Sequence, residues 1–166
     1  MKKLLSVMLL AGLLIVASAS PVRASAPETD TSEKEIEVEE SSTTASFTVT
    51  RSKVNSQDGG RFTVVGTSTR TGKTASIVTS CSIYVLSGDA DDPIVTNSKT
   101  LSISGSLSLS GGGDANYSGT KNFTGTSATQ YLNITKLYTI TSLFSTHTIT
   151  YTNDSRTTTG SGTSSM

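Results

Sequence analysis

The run Leu101-Ser-Ile-Ser-Gly-Ser-Leu-Ser-Leu-Ser110 constrains this chain more than any other stretch, because every odd position is Leu, Ile or Gly and every even one is Ser. A period of two puts the apolar set on one face of an extended strand and the hydroxyls on the other. The run therefore predicts a β-strand with one buried and one wet face, as antiparallel sheets have. Gly105 falls mid-strand on the buried face, where it predicts a bulge, a bend or the close approach of another backbone.

The same alternation recurs. Ala45, Phe47 and Val49 share one face with Ser46, Thr48 and Thr50 opposite, and Phe62 and Val64 begin a second strand after the turn Asn55 to Gly60. Thr71-Gly72-Lys73 makes the next turn. Ser76 to Leu86 carries Ile77, Cys81, Ile83 and Val85 on one side and Val78, Tyr84 and Leu86 on the other, the pattern of a central strand. Further strands are expected over Tyr117 to Phe123, Gln130 to Ile140 and Thr146 to Tyr151. Thr, Ser, Gly and β-branched residues dominate beyond Ser41, and helix-favouring runs are absent. Seven or eight short strands in about 110 residues predict a single antiparallel β-sandwich, immunoglobulin-like or similar, with a partly closed barrel as the structural runner-up. The buried Trp and paired Cys of an antibody-type domain are missing.

The amino end has a different organisation. Lys2 and Lys3, an apolar run from Leu4 to Ala19 and small residues around Val22 to Ala24 make a secretory signal peptide, residues 1–24. At sixteen residues the run is shorter than the roughly 20 a spanning helix needs. A secreted, extracellular address follows, and the short Lys-Lys start is compatible with bacterial export. Residues 25–43 then form an acidic arm: Glu28 to Glu40 holds seven acids against Lys34 alone. Such a like-charged run is expected to be disordered, as a spacer or a pro-segment. The sandwich is expected over 44–156, and 157–166, with nothing apolar to bury before Met166, as a disordered tail.

Few residues offer chemistry. Gly66 to Thr74 has a superficial P-loop look, but one residue too many separates its glycines and a strand follows where a phosphate-binding helix should start. Asp89, Asp91 and Asp92 crowd one loop and are a weak candidate Ca²⁺ site. The EF-hand pattern fails there, with Thr100 at the twelfth position and no central Gly. His147 is the only histidine and Cys81 the only cysteine, so no zinc site of several His or Cys can be built within one chain. His147 shares a strand face with Ile149 and Tyr151 and reads as a hydrogen-bonded structural residue; Cys81 reads as a buried thiol. No G-x-S-x-G elbow occurs, and no Glu follows Glu40 to join a pair of catalytic carboxylates. The short repeat Asn116-Tyr-Ser-Gly-Thr-Lys, Asn122-Phe-Thr-Gly-Thr-Ser keeps Tyr117 and Phe123 on one face and makes them the candidate ligand-stacking pair, provided they are exposed.

The leading expectation is a secreted non-catalytic binding domain that meets an extracellular protein or glycan and needs no cofactor. Nucleic acid is not an expected partner, since Arg51, Lys53, Arg61, Arg70 and Lys73 are spread over two strands and a turn without aromatic interleaving. The alternative is a membrane-active protein. Leu101 to Phe123 resembles the amphipathic inserting hairpins of β-pore-forming toxins, which implies insertion of that segment, although Lys121 sits on the face lipid would meet. A small secreted hydrolase is the third class. Burial of Leu101, Ile103, Leu107 and Leu109 against another sheet favours the first class; a peeling hairpin favours the second.

Overall fold

A computed structural model describes residues 40–51, 59–153 and 156–166. The expected signal peptide, most of the expected acidic arm and residues 52–58, which include most of the expected turn Asn55 to Gly60, lie outside the described residues. Eight strands occur within them: β1 (Glu40–Arg51), β2 (Gly60–Thr71), β3 (Thr74–Val85), β4 (Lys99–Leu109), β5 (Asp114–Phe123), β6 (Ser127–Thr135), β7 (Ile140–Asn153) and β8 (Arg156–Ser165). The one helix among them is α1, the single turn Pro93–Thr96 between β3 and β4. All pairings are antiparallel and make two separate four-stranded sheets, β1-β2-β3-β6 and β5-β4-β7-β8.

The sequence pattern places β3 as a central strand, and it is; β4, expected to have one buried and one wet face, is also internal in its sheet. Leu101, Ile103 and Leu107 are fully buried, and Leu109 packs beside them. Gly105 meets the predicted close approach: a Cβ there would collide with the Phe144 carbonyl oxygen of neighbouring β7 and with the Tyr117 ring. A register shift at Ser108/Leu109 ends the regular β4–β7 ladder.

Several expectations need correction. The tail at 157–166 is not disordered. Hydrophobic burial was the wrong criterion for it, because β8 is held by a full ladder to β7 from Asn153↔Arg156 to Phe144↔Ser165, and Met166 exchanges two backbone bonds with Leu143. The arm's last four residues, Glu40 to Thr43, belong to β1, where pairing with Thr71 to Ser68 of β2 overrides their polarity. Gln130 to Ile140 is two strands. The chain crosses between sheets at 136–139, where the Lys136 and Ile140 amides donate to the Lys73 and Gly72 carbonyls and Leu137 is left 85% exposed. The strand order is not that of an immunoglobulin constant domain, whose second strand neighbours the fifth; here β1, β2 and β3 run as a meander within one sheet.

Both sheets contribute to two apolar clusters. One joins Phe62, Val64, Cys81 and Ile83 to Leu101, Ile149 and Tyr151, with Ile94 of α1 buried among them. The other joins Ala75 and Ile77 to Ile103, Leu107, Ile140 and Leu143. Apolar inward positions from facing sheets thus form a two-layered core. The alternation that builds it is interrupted on several strands at one level, and the interruptions meet.

Candidate functional site

Between the two clusters runs a polar seam. On β3, Thr79 stands where Ile77 and Cys81 would lead one to expect an aliphatic residue; on β7, Ser145 and His147 separate Leu143 from Ile149; on β2, Gly66 and Ser68 follow Val64; and Ser164 comes from β8. Thr79, Ser68, Ser145 and His147 are fully buried, so each polar atom must find a partner inside. Thr79 Oγ1 lies 2.7 Å from His147 Nδ1 and Ser164 Oγ 3.0 Å from His147 Nε2. Ser68 Oγ lies 2.7 Å from both Ser145 and Ser164, and Ser145 Oγ 2.6 Å from the Tyr117 hydroxyl, which donates to the Phe144 carbonyl at 2.7 Å.

Each hydroxyl has one proton, and that count orients the whole chain. Tyr117 gives its proton to Phe144, so Ser145 donates to Tyr117. Ser68 donates to Ser145, so Ser164 donates to Ser68 and accepts from His147 Nε2–H. Nδ1 is then the acceptor of the Thr79 hydroxyl, and His147 is a neutral imidazole with its proton on Nε2. Burial lowers the pKa of His147 and raises that of Tyr117, in keeping with an uncharged seam. Gly66 leaves the space for the ring, since a Cβ there would overlap His147. Both nitrogens of His147 are bonded to hydroxyls, and no carboxylate orients the ring as in a Ser-His-Asp arrangement. What the seam does is tie β3, β2, β5, β7 and β8 together across the sandwich.

The acidic loop is likewise occupied by its own backbone. Asp92 is buried and caps α1: its carboxylate accepts from the Ile94 amide at 2.9 Å and from the Ser87 hydroxyl at 2.6 Å. Asp89 accepts from the Asp91 amide at 3.0 Å. Among the described residues no group of three His, Cys, Asp or Glu side chains converges as a metal site would need. At the other end of α1, buried Lys99 donates to the carbonyls of Ile94, Val95 and Asn97 at 2.7, 3.0 and 2.8 Å. Desolvation brings its pKa down to about 8. Cys81 is buried in the neighbouring cluster and burial pushes its thiol up to about 11, which keeps it protonated and a poor nucleophile at neutral pH.

Tyr117 and Phe123 face inward. Tyr117 is bound into the seam, and Phe123 packs against the first apolar cluster beneath the Lys99 ammonium, 5.3 Å from its ring centroid. Period-two reasoning placed them on one face, as found, but β5 turns that face to the interior. The Gly66–Thr74 stretch is a β-hairpin between β2 and β3, as expected.

Exposed aromatic rings stand instead on the outer face of β1-β2-β3-β6. Tyr131 of β6, 65% exposed, is paired with Val78 of β3, and Tyr84 lies under the Arg61 guanidinium. The next outward row contains Thr69, Ser76 and Asn133, which with Thr71, Thr74 and Thr135 line a shallow depression of about 310 Å³. An amide and several hydroxyls thus line one concavity, and Tyr131 stands one outward row away from Asn133 on the same face. The sequence reading of Gln130 to Ile140 as one further strand assigns it no inner face and so does not single out Tyr131; with Leu132 and Ile134 packed inward, Tyr131 and Asn133 are outward by alternation. The opposite outer face, on β5-β4-β7-β8, has three successive rows made only of Thr, Ser and Asn, for example Thr120–Ser102–Thr148–Ser161.

Comparison of the chain with known protein families, with characterised proteins and with solved structures finds no match.

Proposed function

We propose that this protein is a secreted, non-catalytic β-sandwich domain that binds a carbohydrate chain at an extracellular surface through the outer face of β1-β2-β3-β6. The observation that carries the reading is the exposed Tyr131, which shares an outer face with the depression lined by Thr69, Ser76 and Asn133 and stands one row from Asn133. Sugars present an apolar C–H face and a rim of hydroxyls. A ring to stack on and a few fixed donors and acceptors are what such a ligand needs. The volume lies at the small end of ligand pockets, suited to one or two sugar units. Deep burial of Leu101, Ile103 and Leu107 in the middle of a sheet supports this class over membrane insertion, since a pore-forming hairpin would have to give up the second apolar cluster. Commitment of His147 to two buried hydroxyls supports a non-catalytic role.

The test is binding of the protein to an array of immobilised glycans, run beside dye-loaded liposomes. Retention on a subset of glycans is expected. Tyr131→Ala and Asn133→Ala, both at exposed positions, should melt like the parent and weaken binding by about fivefold or more, the loss a contact worth about 1 kcal/mol gives. Unaltered binding by both variants, or liposome leakage without glycan retention, would overturn the reading.

A further inference from the structure

Among the described residues β8 is an edge strand: it pairs with β7 on one side, and its other side has no strand. Natural sheets blunt such edges with Lys, Pro, bulges or very short strands. None of these devices is present between Thr157 and Ser165, a stretch with no charged residue and no Pro, and the β7–β8 ladder runs without a shift. The adjoining edge of the other sheet is open in the same way. β1 crosses β8 with Phe47 against Gly162 and Val49 against Gly160, and it has no charge from Ser41 to Thr50. Among the described residues the sandwich therefore presents, on one side, two edges without these devices together.

The sequence of β8 adds a second, separate feature: it reads nearly the same in both directions about Ser161. Gly160 mirrors Gly162, Thr159 mirrors Thr163, Thr158 mirrors Ser164 and Thr157 mirrors Ser165. An isologous two-fold contact apposes a strand with its own reverse. Two antiparallel β8 strands centred on Ser161 would place Gly opposite Gly and hydroxyl opposite hydroxyl at each of these positions, with no like charges facing one another. We propose that this edge is a homodimer interface, in which β8 of one copy adds to β8 of a second and makes an eight-stranded sheet through main-chain pairing. The proposal stands apart from the carbohydrate reading, which concerns the other sheet. Together the two would give a bivalent particle whose avidity exceeds that of one site.

Sedimentation velocity from micromolar to millimolar protein tests it, with Ser161 as the lever because it is exposed and meets itself across the two-fold. The parent should show a concentration-dependent dimer. Ser161→Lys and Ser161→Glu each place like charges in contact and should be monomeric with unchanged melting temperature. An equimolar mixture of the two should restore the dimer as a Lys–Glu pair. A parent that stays monomeric throughout, a dimer that survives both substitutions, or a mixture that stays monomeric would overturn the proposal. The melting curves separate loss of pairing from loss of fold.

Discussion

β4 and β8 flank β7 in one sheet, yet β4 buries Leu101, Ile103 and Leu107 while β8 has no apolar residue at all. Three aliphatic side chains of that depth are worth about 1.5–3 kcal/mol each as burial. β8 is held by its ladder to β7 and by Ser164 in the seam, bonds with a net worth of about 1 kcal/mol apiece. Both strands form, and the contrast shows that amphipathic alternation is a sufficient signal for a strand and not a necessary one. It also predicts that the two fail differently: β4 with the whole domain, β8 alone.

The largest effect expected is from Leu107→Asp, which leaves an unpaired carboxylate inside the second cluster and should cost about 4 kcal/mol or more, enough to unfold the domain. Circular dichroism melts measure it; a wild-type curve would break the comparison at β4. Next is Gly66→Ala, whose methyl group must displace the His147 ring and disturb the seam, at about 1–3 kcal/mol in denaturant titration. Ser164→Ala removes one hydroxyl and strands His147 Nε2–H, at about 1–2 kcal/mol. Amide hydrogen exchange should then accelerate over β8 while Leu101 to Leu107 stays protected. Uniform acceleration would mean that β8 and β4 unfold as one unit.

Acid probes the same seam without substitution. His147 has its folded pKa below its ordinary 6.5, so between those values the unfolded chain binds more protons than the folded one and stability rises with pH. The contribution is whole above about pH 6.5 and is lost as pH falls below it. Protonation would also put a second N–H against the Thr79 hydroxyl, which has to turn away from donating. The drop in melting temperature between neutral and mildly acidic buffer should therefore be larger for the parent than for His147→Gln. Equal drops would remove the seam from the pH response. Smallest of all is Ser104→Ala, on the wet face of β4, which should stay within about 0.5 kcal/mol by the same melts.

How much could be read beforehand follows the same division. β3 and β4 were legible because burial on one or both faces writes itself into a period of two, and Gly105 because only a close neighbour explains Gly on a buried face. His147 was legible as a structural residue from its place beside Ile149 and Tyr151. Ser68, Thr79, Ser145 and Ser164 were not. In a chain so rich in Ser and Thr a hydroxyl on an inward position looks like one on an outward position, and only the stacking of four strands at one level shows that the serines pair with each other and Thr79 with His147. Tyr117 and Phe123 were placed on a common face correctly. Alternation cannot say which of two faces is the inner one when a strand lies at an edge and its outward residues are also polar.

The sequence by itself determined the all-β class and the inward sets of the central strands, since local alternation and the cost of wet aliphatic surface act through neighbours in the chain. Tertiary structure alone decided the rest: that residues 156–165 pair at all, that Asp92 and Lys99 close the two ends of α1, that Tyr131 is presented outside, and that the hydroxyls form one oriented seam. The physical reason is range. A hydrogen bond between Ser68 and Ser164 joins residues 96 positions apart, and a polar group's environment, unlike an apolar residue's preference for burial, is set by the partner it meets.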